Sequence, residues 1–309
     1  MNYKIVFYTN NYISYPSLKF LIKIKILKGI IINKLFFKNN KKIYNLIIKY
    51  KINYLFDKYI NNKNKILKFL KLNKINLQIV MAFKYIKSYI YNFPKYGTFN
   101  IHPSVLPKNI GPNPIRNAIL KNEKYTGISI FKINKIIDKG KILFIKKIKI
   151  KKKDNYSLLK KKISYINVKI LKKMLKKKKF KKKYKHLKIN KKLYTKSFKI
   201  NHLNCKIKWN NKCIIIYNQI RAFYKKPLAW TYLLLKNQKK IKIILKKCFY
   251  KKYFHNKLIG MLKIKKQYIK IYCKDGFIGI IKCKLNNKKQ TNIKSFINGL
   301  KNLNILKCI

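Results

Sequence analysis

The stretch Gly97-Thr98-Phe99-Asn100-Ile101-His102-Pro103-Ser104-Val105-Leu106-Pro107-Lys108-Asn109-Ile110-Gly111-Pro112-Asn113-Pro114 sets a short apolar run against a loop dense in proline and glycine. Thr98–Ile101 has strand length, and the loop opens at Pro103, which has no backbone N–H to offer a sheet. The loop therefore starts at the carboxyl end of a strand. The whole chain holds 9 Gly and 7 Pro. Gly97, Gly111, Gly127 and Gly140, with Pro94, Pro103, Pro107, Pro112 and Pro114, all fall between residues 94 and 140. Gly and Pro fix special backbone geometry, so this window specifies its loops most tightly.

Outward from that strand, residues 3–8, 26–32 and 77–83 are further apolar runs of strand length. Lys-studded patterns separate them, with helix candidates at 41–50 and 63–72 where Ile, Leu, Phe and Tyr recur every three or four residues. Alternation of this kind predicts an α/β fold, a Rossmann-like and mostly parallel sheet with helices on both faces. Open sheets of that class bind ligands beyond the carboxyl ends of their strands. From Leu171 to Lys185 the chain is almost pure Lys, read as a helix tail entering an interdomain linker at about 172–193. Such a run is either a solvated face or a segment that tracks polyphosphate. Past Tyr194 a helical segment at 211–223 precedes short runs at 228–235, 241–249, 258–265, 267–273 and 277–284. Several short strands broken by Gly, Asn and Lys predict a smaller C-terminal β-barrel, OB-like in type. Two domains are expected, 1–185 and 194–309, and 309 residues suffice for a core in each.

Lys plus Arg number 80 against 5 Asp plus Glu, for a net charge of +75, and only Arg116 and Arg221 are arginine. The abundant Lys, Asn, Ile, Tyr and Phe all have A/T-rich codons, so mutational bias explains the charge as well as selection does. Whatever its origin, a +75 chain attracts phosphate backbone at long range. Lys interrupts every hydrophobic stretch, so no run of membrane-spanning length occurs and no membrane role is expected. The N-terminus enters Lys4-Ile5-Val6-Phe7-Tyr8 without a signal-peptide pattern. Cys205, Cys213, Cys248, Cys273, Cys283 and Cys308 contain no C-x-x-C pair and read as reduced thiols of a cytoplasmic protein. His202, Cys205 and Cys213 could be set around zinc, but no fourth ligand has motif spacing, so ordinary thiols and no metal are expected.

Asn100 and His102 lie two apart, so their side chains leave the same face at the end of the strand. Acyl-type transfer needs a donor for a developing oxyanion and a group that relays a proton, roles an amide and an imidazole can fill. An Asn-x-His pair can equally be structural. Asp138 precedes Gly140 and the strand-like run Lys141–Lys149, and is one of the few acids, with Asp57, Glu123, Asp154 and Asp275. A carboxylate can orient an imidazole or pair with surface Lys, and spacing alone does not bring it to His102.

The window resembles the signature of the folate-dependent formyltransferase family: Asn-x-His-x-Ser-x-Leu-Pro, a Gly with a nearby Pro, Thr-Gly, then Asp-x-Gly. Asn100, His102, Ser104, Leu106, Pro107, Gly111, Pro114, Thr126, Gly127, Asp138 and Gly140 stand at those places. The resemblance implies that Asn100, His102 and Asp138 are catalytic, and that Ser104, Val105, Leu106 and Pro107 border the folate site. It also implies 10-formyltetrahydrofolate as co-substrate. The C-terminal stretch is similar to that of the branch acting on methionyl-tRNA, through Trp209, Ile220-Arg221-Ala222-Phe223, Pro227, Trp230, Gly260 and Lys274-Asp275-Gly276. That likeness implies initiator methionyl-tRNA as partner and an enzyme of translation initiation, and a monomer is expected. Trp209 and Trp230 also read as core of the small domain, and Arg221 as a cap on local carbonyls.

Departures from the family pattern are plain. The basic insertion after the second strand is shortened to Lys34–Lys42, Ile110 replaces an Arg before Gly111, and Tyr8-Thr9-Asn10 stands for Gly-Thr-Pro. Lys supplies phosphate charge without the bidentate fork of Arg, so selection among tRNAs is affected more than chemistry. Two rivals stay open: a formyltransferase for a nucleotide or amino sugar, and an inactive RNA-binding module that stacks bases on its aromatic side chains.

Overall fold

The computed structural model describes residues 3–177, 180, 193–287, 293–300 and 304–309. The expected linker at 172–193 lies, beyond residue 177, outside the described residues apart from 180 and 193. Two compact units result, one of Met1–Pro114, Tyr125–Lys149 and Lys160–Ser197, the other of Ile115–Lys124, Ile150–Leu159 and Phe198–Ile309.

The first stretch of chain runs β1 (Ile5–Thr9), α1 (Tyr15–Lys23), β2 (Leu27–Ile32), α2 (Lys34–Asn39), α3 (Lys41–Lys49), β3 (Asn53–Phe56), α4 (Lys63–Leu72), β4 (Leu77–Val80), α5 (Ser88–Tyr91) and β5 (Thr98–His102). It continues through α6 (Pro114–Leu120), β6 (Tyr125–Lys132), β7 (Lys141–Lys149) and α7 (Tyr156–Lys176). The first unit holds a seven-stranded sheet in the order β3-β2-β1-β4-β5-β6-β7. Its first five strands pair in parallel, and β6 and β7 add antiparallel. The predicted Rossmann-like, mostly parallel sheet is therefore present. β1 is buried along its whole length, as a strand covered on both faces must be, and so reads as continuous Ile-Val-Phe-Tyr. The helices bury one stripe each. In α4 Ile66 and Leu70 point inward while Asn62 caps the first turn, accepting from the Lys65 N–H at 2.9 Å. With Val6, Tyr8, Ile31, Leu55 and Val80 they form a core on one sheet face.

Two boundaries and one strand differ from expectation for visible reasons. β4 stops at Val80 because Ala82 turns left-handed at φ 54°. β3 is a four-residue edge strand whose Asn53 and Tyr54 are exposed, so it has no apolar run to betray it. The 258–265 run narrows to β10 (Leu262–Ile264), since Gly260 turns at φ 82°.

The second unit holds α8 (Cys213–Ala222), β8 (Trp230–Leu235), β9 (Lys240–Lys252), β10, β11 (Ile269–Cys273), β12 (Gly276–Leu285), α9 (Ile293–Asn298) and β13 (Ile305–Cys308). The strands form an antiparallel sheet in the order β10-β11-β12-β9-β8-β13. The Cys308 N–H donates to Gly260 O at 2.8 Å, bringing β13 beside the residues that lead into β10, so the sheet nearly closes into the expected barrel. Trp209, Trp230, Phe223, Leu245 and Ile278 fill it. Among the described residues no helix is long and apolar enough to cross a membrane.

Candidate active site

Asp138 sits in the loop between β6 and β7 with φ 53°, a left-handed conformation that Asp tolerates better than most residues. The turn aims its carboxylate at the end of β5. Oδ1 accepts from Asn100 Nδ2 at 3.2 Å, across 38 residues of chain, and Oδ2 accepts from the Gly111 N–H at 2.9 Å. His102 Nδ1 lies 3.6 Å from the same Oδ2, with only 6% and 9% of the two side chains exposed. The three residues picked from the motif thus meet at one point, where β5 delivers Asn100 and His102 on the same face. Gly111 reaches the carboxylate because its backbone takes φ 95°, which L side chains rarely adopt.

The second imidazole nitrogen fixes the tautomer. His102 Nε2 is 3.0 Å from the Asn109 carbonyl oxygen, which can only accept, so Nε2 carries hydrogen. Nδ1 then faces Asp138, and a proton taken up there lies between ring and carboxylate. Asn100 has two N–H bonds on its amide. One is given to Asp138, which leaves the other for the space beside it.

That space is an open crevice whose lining includes Val80, Phe83, Tyr85, Asn100, Phe131 and Asp138, together with Lys84, Ile133 and Ile136. Lys84 is anchored at its rim, its Nζ donating to Asp57 O at 3.0 Å and lying 3.5 Å from Asp57 Oδ2. Ser104, Val105, Leu106 and Pro107 are not among the lining residues. Ser104 and Leu106 are buried, and Ser129 holds this segment from β6, its hydroxyl donating to Ser104 O at 2.8 Å and accepting from the Leu106 N–H at 3.0 Å. Gly127 leaves the room they need: a Cβ there would run into Val105 Cγ2 and the Lys146 carbonyl oxygen. The sequence reading missed the crevice walls at 80–86 and 131–137, whose apolar side chains pass for core. It also missed Ser129, whose hydroxyl holds backbone groups of another segment, and Asn109, which acts through its own carbonyl. The Asp138 loop held the one readable signal, an acid in a chain with five.

In the second unit the residues singled out from the sequence are structural. Trp209 and Trp230 are 4% and 5% exposed, and Trp209 Nε1 donates to Thr231 Oγ1 at 2.9 Å. Arg221 Nη1 donates to the carbonyls of Lys151, Lys152 and Asp154 at 3.3, 3.4 and 3.0 Å. Arg116 donates to Ala222, Lys225 and Lys226 carbonyls at 3.3, 3.0 and 2.7 Å while its guanidinium lies over the Tyr156 ring. Burial pushes the thiols of Cys205 and Cys213 up to about 11 and that of Cys283 to about 12. Such thiols stay protonated near neutrality. Among the described residues no group of three His, Cys, Asp or Glu side chains is set to hold a metal.

Residues 34–175 match the sequence family described as "Formyl transferase", and residues 199–301 match "Formyl transferase, C-terminal domain". A methionyl-tRNA formyltransferase of Flavobacterium johnsoniae is 32% identical over 233 residues, covering 75% of this chain and 73% of that protein. The chain belongs to the formyltransferase family. Its chemistry is transfer of a formyl group from a folate-type donor. A second relative of this formyltransferase, named methionyl-tRNA formyltransferase in Ehrlichia canis, is 30% identical and covers 77% of this chain and 75% of its own. Among solved structures, the sugar 3N-formyl transferase WlaRD, in the presence of dTDP and 5-N-formyl-THF, superposes with a TM-score of 0.64 at 25% identity. It covers 94% of this chain and 100% of its own. HypX from Aquifex aeolicus, in complex with tetrahydrofolic acid, shares the fold at 15% identity and a TM-score of 0.63, over 98% of this chain and 48% of its own.

Proposed function

We propose that this formyltransferase moves the formyl group of 10-formyltetrahydrofolate to the α-amino group of methionine on initiator tRNA, as a cytoplasmic monomer. The observation that carries the chemistry is the Asp138 carboxylate joining Asn100, His102 and Gly111 beside an open crevice. The acceptor rests on relatives named methionyl-tRNA formyltransferase that match three quarters of both chains, and on a +75 charge suited to a polyphosphate partner.

The crevice suits a flat, partly polar donor. Phe83, Tyr85 and Phe131 offer aromatic surface, Ile133 and Ile136 apolar surface, and Asn100 and Asp138 polar groups. In this reading the folate lies there, with Ser104, Val105, Leu106 and Pro107 bordering its site from the loop that follows His102. As the amine adds to the formyl carbon, the free N–H of Asn100 donates to the oxygen that becomes negative. His102 accepts the proton released by the incoming amine at Nδ1, Asp138 stabilises the resulting imidazolium, and the same proton passes to the departing nitrogen. Residues 1–185 would carry this chemistry and 194–309 would engage the RNA.

A second reading is favoured by the likeness to WlaRD, a sugar formyltransferase. Formyl transfer measured side by side on methionyl-tRNA, a dTDP-amino sugar and glycinamide ribonucleotide separates them. Methionyl-tRNA is expected to give the highest kcat/KM, and preference for either small acceptor overturns the proposed acceptor. Transfer to none of the three would leave an RNA-binding module.

A further inference from the structure

The loop that supplies Asn109 and Gly111 is held from its far side by a strap at residues 195–197. The Thr195 N–H donates to Pro107 O at 3.2 Å, and Thr195 O accepts from the Ile110 N–H at 2.9 Å. The Ser197 N–H donates to Ile110 O at 2.8 Å, so Ile110 and Lys196 form a parallel β-bridge. Two side chains add to this backbone pairing. Thr195 Oγ1 accepts from the Asn109 N–H at 3.0 Å. The Ser197 hydroxyl lies within hydrogen-bond reach of both Ile110 O, at 3.0 Å, and Pro112 O.

We propose that Thr195 is a positioning residue for His102, acting through Asn109. Its hydroxyl oxygen fixes the Asn109 N–H, and the carbonyl of the same residue receives His102 Nε2. With both backbone groups of Asn109 bound, its carbonyl cannot rotate away from the imidazole. The hydrogen stays on Nε2, and Nδ1 stays turned to Asp138. Ser197 supports the strap one step further along, where Gly111 must keep its N–H on Asp138. None of this is visible in the sequence, because Thr195 stands 86 residues from its partner.

The test has a spectroscopic arm and a kinetic arm, and only the kinetic one rests on the formyl-transfer reading. The full chain is labelled with ¹⁵N-histidine, and the His102 signals among the four histidines are assigned from a His102→Gln protein. The parent should show the Nε2–H tautomer. Thr195→Val removes the acceptor but keeps shape and strap backbone, and should give a mixture of tautomers. Its kcat should fall ~3- to 10-fold, the worth of one net hydrogen bond, with both KM values unchanged and the pH–rate profile displaced. Thr195→Ser should restore tautomer and rate. If Thr195→Val does not fold, Thr195→Ala takes its place, since it removes the same hydroxyl while the strap's backbone bonds survive it. A parent tautomer and parent kcat in the folded variant overturn the proposal. A tautomer shift in a protein that formylates no amine upholds the positioning link and rejects the catalytic reading instead.

Discussion

Asp138→Asn isolates the charge at the centre of the site. Asn tolerates the left-handed backbone of residue 138 nearly as well as Asp, so the substitution adds little strain. What changes is one oxygen, which becomes an amide N–H₂. The carboxylate accepts from Asn100 and from Gly111, one on each oxygen, and an amide can accept from only one side. Its N–H₂ must either meet the Gly111 N–H, donor against donor, or meet Asn100, whose amide must then turn over to present its oxygen and withdraw its donor. A second loss is electrostatic. An imidazolium 3.6 Å from a carboxylate in this nearly dry setting is held by about 4–5 kcal/mol at an effective dielectric of ~20, an upper figure before relaxation and water entry. A net loss of about 3–4 kcal/mol in the transition state corresponds to a fall in kcat on the order of 10²–10³. Single-turnover formyl transfer at saturating 10-formyltetrahydrofolate and methionyl-tRNA measures it, with tRNA affinity followed separately. A variant within tenfold of the parent rate, or one whose deficit lies wholly in tRNA binding, would refute the role assigned to Asp138.

Asn100→Ala should lower kcat by on the order of 10²–10³ while tRNA affinity stays near that of the parent, and steady-state kinetics with a filter-binding control decides it. Gly127→Ala forces a Cβ onto Val105 and the Lys146 carbonyl, so thermal unfolding should show a loss of about 1–3 kcal/mol or more, and an unchanged midpoint would contradict the packing described. Burial raises the thiols of Cys205, Cys213 and Cys283, which holds them neutral in the folded state well above the usual pH for thiolate formation. Their contribution to stability is whole below the unfolded thiol pKa and is lost as pH climbs through about 9 toward 11–12; iodoacetamide labelling at pH 8 should be slow for these three until urea is added. Lastly, the logarithm of tRNA affinity should fall linearly with that of salt concentration, and a flat dependence would remove the nonspecific lysine contribution.

How much of this was readable from the residues depends on the range over which each feature acts. β1, and β2 from Gly29 to Ile32, were legible because strands buried on both faces read as apolar runs. β5, with Thr98, Asn100 and His102 among its five residues, was legible by its length and by the Pro103 that follows it. β6 was not, since Tyr125-Thr126-Gly127 reads as a turn, although Gly127 sits within the strand to make room for Val105. The catalytic candidates were legible by resemblance and by the scarcity of acids, but the meeting of Asp138 with His102 was not, because a loop's return path is set by tertiary packing. Asn109 and Thr195 left no trace at all: one acts through its backbone, and the other through a partner far along the chain.

The use made of Arg116 and Arg221 carries a consequence for engineering this protein. Each guanidinium gathers three backbone carbonyls at once, a task that needs several donors in a planar fork. A single ammonium on a flexible stem cannot span them. Every other basic side chain is a lysine, so lysine-to-arginine exchange at exposed positions keeps the charge. The two guanidinium joints are where such exchange should stop.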